Sequence, residues 1–155
     1  MMRFFNPDFD ERKYWTYGCN CLILGRIQKI RFSILIKKIH PGDRPMSDPG
    51  HGPPVDQLDT VCKQYKDCLK CARKTHGEQC IGEFVRYRYG YKNGAPVCRN
   101  EAGSCERDIC ECDAMFAEAH VGVKHVFDNK YHMFWAEREG ASWDPEEKCF
   151  PTGNN

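Results

Sequence analysis

The sequence predicts a small, mainly helical and disulfide-rich fold. Three observations predict it: 11 cysteines among 155 residues, two segments with helical spacing of apolar residues, and a short hairpin pattern between them. Cysteine at this density is typical of small secreted domains, which disulfides stabilise, and is unusual in cytosolic proteins. The length is that of one domain, so we expect residues 1–155 to form a single unit.

The composition excludes several classes of protein. Apolar residues make up 41% of the chain and charged residues 29%, a balance typical of globular rather than disordered proteins. No stretch approaches the roughly 20 apolar residues that cross a bilayer. The formal net charge is only +1. The charges are unevenly distributed, because the chain after residue 100 contains 12 acidic and 5 basic residues. We therefore predict no nucleic-acid partner.

The first helix is predicted over residues 56–75. Asp56 follows Pro53-Pro54 and is a suitable N-cap, because its carboxylate can accept hydrogen bonds from the first free N–H groups. The apolar residues that follow recur every three or four positions, as one face of a helix requires. They are Val61, Cys62, Tyr65, Cys68, Leu69 and Ala72.

A hairpin and a second helix are predicted next. Residues 84–98 contain the turn signal Asn93-Gly94 between two short runs of strand-forming residues. Residues 104–120 then show helical spacing, with Ile109, Cys112, Phe116 and Ala119 on one face. In the hairpin, Arg86, Arg88 and Lys92 alternate with tyrosines, and we interpret them as one solvated face.

The cysteines could bind zinc or form disulfides. Cys68 and Cys71 form a lone CxxC pair, and Cys110 and Cys112 form a CxC pair. A structural zinc site needs two paired cysteine motifs at compatible spacing. The cysteines are instead spread from residue 19 to residue 149. The distribution therefore favours disulfides.

Four longer motifs are spaced along the chain. The chain contains Tyr17-Gly18-Cys19-Asn20-Cys21, then PPVDQLD over residues 53–59, then Cys62 six residues before Cys68, then CECD over residues 110–113. This pattern resembles the secreted phospholipase A2 family, with its calcium loop and two disulfide-linked helices. The resemblance implies a phospholipase A2-like fold with two antiparallel helices and a small β-hairpin.

The resemblance also implies a disulfide pairing. The pairs are Cys19–Cys149, Cys21–Cys62, Cys68–Cys112, Cys80–Cys105 and Cys98–Cys110. Two cysteines of a further family bridge are replaced together, by Val61 and Ala119. Cys71 has no partner in this scheme. We expect it to be a buried free thiol, with a disulfide-linked dimer through Cys71 as the alternative.

The family hydrolyses the sn-2 ester of glycerophospholipids with a histidine base, an aspartate that orients it, and calcium. Here the histidine position holds Tyr65 and the position of the calcium-binding aspartate holds Lys66. Asp113 matches the orienting aspartate and Tyr87 matches one of its two tyrosine supports, whereas Leu69 replaces the other. A phenol with a pKa near 10 is a poor base at neutral pH, and an ammonium group cannot bind calcium. We therefore expect no cofactor, although the family uses calcium.

The calcium-loop region is also changed. Between Cys21 and Pro54 the chain has 32 residues, including the atypical basic and apolar segment 22–46, and Leu22 replaces a glycine of the family motif. One interpretation is a segment that binds an anionic membrane surface. The other, favoured by the unusual loop length, is translated non-coding sequence that is poorly ordered.

The function expected from these observations is that of a secreted, inactive phospholipase A2 homologue. It would bind phospholipid or fatty acid at a membrane surface, or an extracellular protein or matrix partner. Lys66 either holds an anion or extends to solvent. The alternative is a calcium-dependent phospholipase A2. Residues 1–8 lack the apolar core of a signal peptide, so the extracellular expectation rests on the cysteines and on the resemblance.

Overall fold

The computed structural model describes residues 1–14, 16–21 and 52–149. The segment 22–46, with its two interpretations, lies outside these residues. In chain order the helices and strands are α1 (Met2–Phe5), α2 (Glu11–Tyr14), α3 (Gln57–His76), β1 (Tyr89–Lys92), β2 (Ala95–Cys98), α4 (Cys105–Val123) and α5 (Pro145–Cys149), with 3₁₀ turns at Lys124–Val126, Asn129–Tyr131 and Ala136–Glu139. The fold is thus mainly helical, with a two-stranded antiparallel sheet.

Helix α3 begins where the sequence predicts. The Asp56 side chain accepts a hydrogen bond from the backbone N–H of Asp59, which confirms the predicted N-cap. The helix extends to His76, one residue beyond the predicted range, and ends at Gly77. His76 is the last residue of the helix, and its ring lies 2.8 Å from the carboxylate of Asp108 on α4.

Helix α4 is three residues longer at its C-terminal end than predicted. Ser104 caps its first turn by accepting from the N–H of Arg107. The predicted apolar face is confirmed in outline: Ile109, Cys112 and Phe116 are buried, and Ala119 packs against the core. None of the helices in the described ranges is long and apolar enough to span a bilayer.

The hairpin is shorter than predicted. Its strands pair from Tyr89 with Cys98 to Lys92 with Ala95, around the predicted Asn93-Gly94 turn. The expected start at residue 84 is wrong, because the chain before β1 follows a turn in which Val85 N–H bonds to the carbonyl of Ile81. Phe84 is therefore exposed at that turn rather than paired in the sheet.

Five disulfides connect the elements. They join Cys19 to Cys149, Cys21 to Cys62, Cys68 to Cys112, Cys80 to Cys105, and Cys98 to Cys110. Cys71 is a free thiol, but it is exposed rather than buried, which corrects that expectation. The reason is helical geometry: Cys71 is rotated by about 100° from its buried neighbour Ala72.

The main core lies between the two long helices and the N-terminal part of the chain. Its buried members are Tyr14, Tyr17, Cys21, Leu58, Val61, Cys62 and Phe116. Val61 belongs to this cluster, and Ala119 packs against it. Apolar packing therefore surrounds both positions at which the resemblance implies that a bridge is absent.

Asp59 anchors the segment around Cys19 to the start of α3. Its fully buried carboxyl group accepts hydrogen bonds from the backbone N–H groups of Cys19, Asn20 and Val55, at 2.9, 2.6 and 3.1 Å. Gly18 passes so close that an added Cβ would lie 2.5 Å from the Asp59 Cγ, and its φ is +58°. Only glycine fits this backbone conformation without strain.

His120 is a buried polar residue within the interface between α4 and the N-terminal segment. Its ring packs edge-on against Tyr14 and Phe9, with centroid distances of 4.5 and 5.3 Å. Neither ring nitrogen has a hydrogen-bond partner among the described residues. Burial, and then the positive charges of Lys124 and Lys13, lower the pKa of His120 to about 4.

Replacing His120 by phenylalanine should remove an acid-dependent loss of stability. An unfolded histidine titrates near pH 6.5, so between about pH 6.5 and 4 the unfolded state binds more protons than the folded one. The free energy of unfolding therefore falls as the pH drops through this window. Urea denaturation gives the free energy of unfolding of wild type and of H120F. We expect the difference between these two free energies to change by up to about 3 kcal/mol between about pH 6.5 and 4.

The matched control is His125→Phe, because His125 is exposed. The free energy of unfolding of H125F should depend on pH as that of wild type does. If the free energy of unfolding of H120F also changed in parallel with that of wild type from about pH 7 to about pH 4, the assigned role of His120 would be wrong.

Candidate functional site

The two long helices run antiparallel, and this arrangement assembles the site. Residues later in α3 contact residues earlier in α4: Tyr65 contacts Asp113, Cys68 is bonded to Cys112, and His76 lies beside Asp108. Tyr65 is one helical turn before Cys68, and Asp113 follows Cys112 directly. The disulfide therefore fixes the distance across which the site residues meet.

Tyr65 lies in the position that the resemblance assigns to the catalytic histidine. Its hydroxyl donates a hydrogen bond of 2.7 Å to Asp113 Oδ1. Its ring stacks on Phe116 with centroids 4.6 Å apart and packs against the main core. Burial, followed by the charge of Asp113 and the hydrogen bond to it, raises the pKa of Tyr65 well above its ordinary value.

Tyr87 reaches the same carboxylate from the segment before β1. Its hydroxyl donates a 2.5 Å hydrogen bond to Asp113 Oδ2. Burial and this hydrogen bond raise the pKa of Tyr87 above its ordinary value. Each carboxylate oxygen of Asp113 thus accepts a hydrogen bond from a neutral phenol. All three are candidate site residues from the sequence, and they lie together in the structure.

Lys66 and Leu69 are the other α3 residues that the resemblance compares with functional positions of the family. Lys66, which the resemblance assigns to the position of the calcium-binding aspartate, is partly buried. An ammonium group has only donor hydrogens and no lone pair for a metal. Leu69 packs against the second core cluster, which includes Ala72 and Ile109, so it supports packing and offers Asp113 no hydroxyl.

The described residues contain no side-chain cluster suited to a metal ion. No group of three or more His, Cys, Asp or Glu side chains in ranges 1–14, 16–21 and 52–149 could hold a metal. Calcium requires six to eight oxygen ligands, commonly including carboxylates. Asp59, the nearby buried carboxylate, has its oxygens occupied by N–H donors, as described above.

Comparisons with known proteins identify the family. The family model for phospholipase A2 matches residues 47–132, which is more than half of the chain. The chain belongs to the phospholipase A2 family. The match includes α3, the hairpin and α4, and therefore all of the site residues described here.

Three curated relatives give the degree of similarity. The chain is 32% identical to acidic phospholipase A2 2 of Naja naja over 84 residues, which are 54% of this chain and 68% of that protein. It is 34% identical to acidic phospholipase A2 E of Naja oxiana over 80 residues, 52% and 66% of the two chains. It is 39% identical to acidic phospholipase A2 of Micrurus dumerilii over 64 residues, 41% and 53% of the chains.

Asp59 and Tyr17 hold distant segments of the phospholipase A2 fold together through hydrogen bonds, and the sequence did not predict these roles. Asp59 was part of a quoted motif, but an acidic residue in the first turn of a helix is common and did not indicate a buried acceptor. The Tyr17 hydroxyl donates to the carboxylate of Asp56 and accepts from the N–H of Asp128. Both contacts link segments far apart in sequence, so no local pattern indicates them.

Replacing Tyr65 by phenylalanine should destabilise the protein by about 1–3 kcal/mol, because Asp113 Oδ1 loses a partly buried hydrogen-bond donor. Tyr87→Phe should destabilise the protein by a comparable amount, because Asp113 Oδ2 loses its donor. The double variant should lose more unfolding free energy than the sum of the two single losses. Urea denaturation with the disulfides intact would measure these differences. Unchanged stability of Y65F would show that the Tyr65–Asp113 hydrogen bond contributes nothing in solution.

Proposed function

We propose that this protein is an extracellular phospholipase A2 homologue that binds phospholipid or fatty acid without hydrolysing it. The observation that carries this proposal is the hydrogen bond from Tyr65 to Asp113. Tyr65, in the position assigned to the catalytic histidine, donates to Asp113, the residue that would orient the base of an active enzyme. Family membership supports a phospholipid surface as the place of action.

Ester hydrolysis needs a group that accepts a proton from water near neutral pH. Histidine does this because its ordinary pKa is about 6.5. The neutral phenol of Tyr65 has a raised pKa and already donates its proton to Asp113. Its ionised form is therefore far too rare at pH 7 for it to act as a base.

The charge of the site supports anion binding in place of metal-assisted catalysis. An aspartate with bound calcium carries a net charge of about +1, and the ammonium group of Lys66 carries the same charge. Lys66 could therefore attract a lipid phosphate or a fatty-acid carboxylate without calcium. In the alternative, its side chain extends to solvent and plays no part in binding.

Two other functions have observations in their favour. The resemblance assigns Asp113 and Tyr87 to functional positions of the family, and the hydrogen bond between them favours a residual calcium-dependent phospholipase A2 activity. The exposed thiol of Cys71 favours a disulfide-linked dimer or attachment to an extracellular protein or matrix partner. Electrophoresis without reductant, comparing wild type with Cys71→Ser, distinguishes a dimer from a monomer.

A single vesicle experiment tests the main proposal. Vesicles of phosphatidylcholine with an anionic phosphatidylglycerol fraction are mixed with the oxidised protein, in calcium or in chelator. Fatty-acid release and co-sedimentation are measured in the same sample. We expect no release above a denatured control under either condition. We expect co-sedimentation that does not depend on calcium.

Lys66→Gln tests the site itself, with Lys63→Gln as the matched control. Lys63 is on the same helix and pairs with Asp67 at the surface. K66Q should weaken vesicle binding severalfold, whereas K63Q should bind as wild type does. Calcium-dependent release would overturn the non-catalytic assignment. Absence of both release and binding would favour the protein or matrix partner.

A further inference from the structure

The two faces of the β-hairpin differ sharply in chemistry. Tyr89 and Tyr91 project from one face, with ring centroids 6.1 Å apart, and Phe4 packs against Tyr91. Side chains alternate along a strand, so Arg88 and Lys92 lie on the opposite face. Both are exposed. One face is therefore aromatic and the other is cationic.

Arg99 adds a third positive charge to the cationic face. Its backbone N–H bonds to the carbonyl of Arg88, so the two residues are cross-strand neighbours just beyond the last pair of the sheet. The Arg99 guanidinium lies over Gly90, where an added Cβ would be 2.1 Å from Arg99 Nε. The absence of a side chain at Gly90 creates the space that the guanidinium occupies.

This arrangement places like charges side by side. Cross-strand neighbours have Cα atoms about 5.5 Å apart, and like charges there destabilise a sheet. Arg86, also exposed, precedes Arg88 in the chain and donates to the carbonyl of Gly82. From Arg86 to Lys92 the extended chain covers up to about 20 Å. The cationic residues thus form a row, and bound anionic groups would relieve their mutual repulsion.

We propose that this cationic hairpin face, formed by Arg88, Lys92 and Arg99, docks a sulfated polysaccharide. A linear polyanion matches a row of exposed charges on a narrow surface, and guanidinium groups bind sulfate through paired hydrogen bonds. The remaining side chains on this face are the small Ala95 and Val97.

The same face does not suit the other common polyanions. A bilayer is bound by surfaces that present apolar and cationic side chains together, whereas here the tyrosines are on the opposite side of the sheet. Single-stranded nucleic acid is bound by stacking its bases on aromatic rings, and the cationic face has none. Its charges therefore suit a ligand that carries many anionic groups and remains hydrated.

The test measures binding of a heparin fragment of defined length to the full-length oxidised protein. Titrations at about 50 mM and about 200 mM sodium chloride should show affinity that falls steeply with salt. The double variant Arg88→Gln/Arg99→Gln should bind about tenfold more weakly than wild type and show a smaller salt dependence. Thermal unfolding of each variant checks that the fold is retained.

Two further variants sharpen the result. Lys74→Gln/Arg138→Gln removes two exposed charges that lie on α3 and on the 3₁₀ turn Ala136–Glu139 rather than on the hairpin, and should change affinity by less than about twofold. Gly90→Ala keeps the net charge but displaces the Arg99 guanidinium, and should weaken binding about threefold.

The proposal is overturned if heparin does not bind at low salt, if R88Q/R99Q binds as wild type does, or if both double variants lose affinity equally. The proposal is also overturned if phosphatidylglycerol vesicles or a single-stranded RNA bind more tightly than heparin does and R88Q/R99Q weakens that binding. In that case the face would recognise a different polyanion.

Discussion

The antiparallel pairing of α3 and α4 is the constraint on which the site depends. The Cys68–Cys112 disulfide joins the middle of one helix to the middle of the other. Its position places Tyr65 opposite Asp113 and leaves little freedom for either side chain to move away. A disulfide that closes a loop of this length contributes about 2–4 kcal/mol in the chain-entropy view. The disulfide thus holds together the two helices that carry the site residues.

The substitutions on α3 are consistent with one another in physical terms. A histidine beside a carboxylate can accept a second proton, because the carboxylate stabilises the positive charge that results. Tyr65 satisfies the same carboxylate by donating a neutral hydrogen bond, and its ring adds apolar packing on Phe116. Lys66, the next residue along α3, carries a positive charge. The polar groups of Tyr65 and Asp113 are therefore satisfied within a compact site.

The sequence predicted the two long helices and the hairpin turn well, because their signals are local. Asp56 and the spacing of apolar residues located α3 to within one residue at each end. The strand start was wrong because Phe84 and Val85 have strand-forming side chains, while backbone bonds to Ile81 decide their conformation. The exposure of Cys71 was misjudged because a cysteine is usually buried, and its angle around the helix decided otherwise.

Buried polar residues were the hardest features to predict. His120 lies one helical turn after Phe116 and thus on the buried stripe of α4, but histidine gives no clear indication of burial. The four hydrogen bonds to Asp59 come from segments brought together only by the fold. The placement of Arg99 over Gly90 likewise depends on the register of the hairpin.

Calcium binding by the intact protein tests the central claim most directly. Isothermal titration of the oxidised protein with calcium chloride, and of the Lys66→Asp variant beside it, measures whether the substituted site has lost the metal. The account predicts no saturable heat for wild type at millimolar calcium. Saturable binding of one calcium ion by wild type, with an affinity unchanged by the substitution of Lys66, would contradict it.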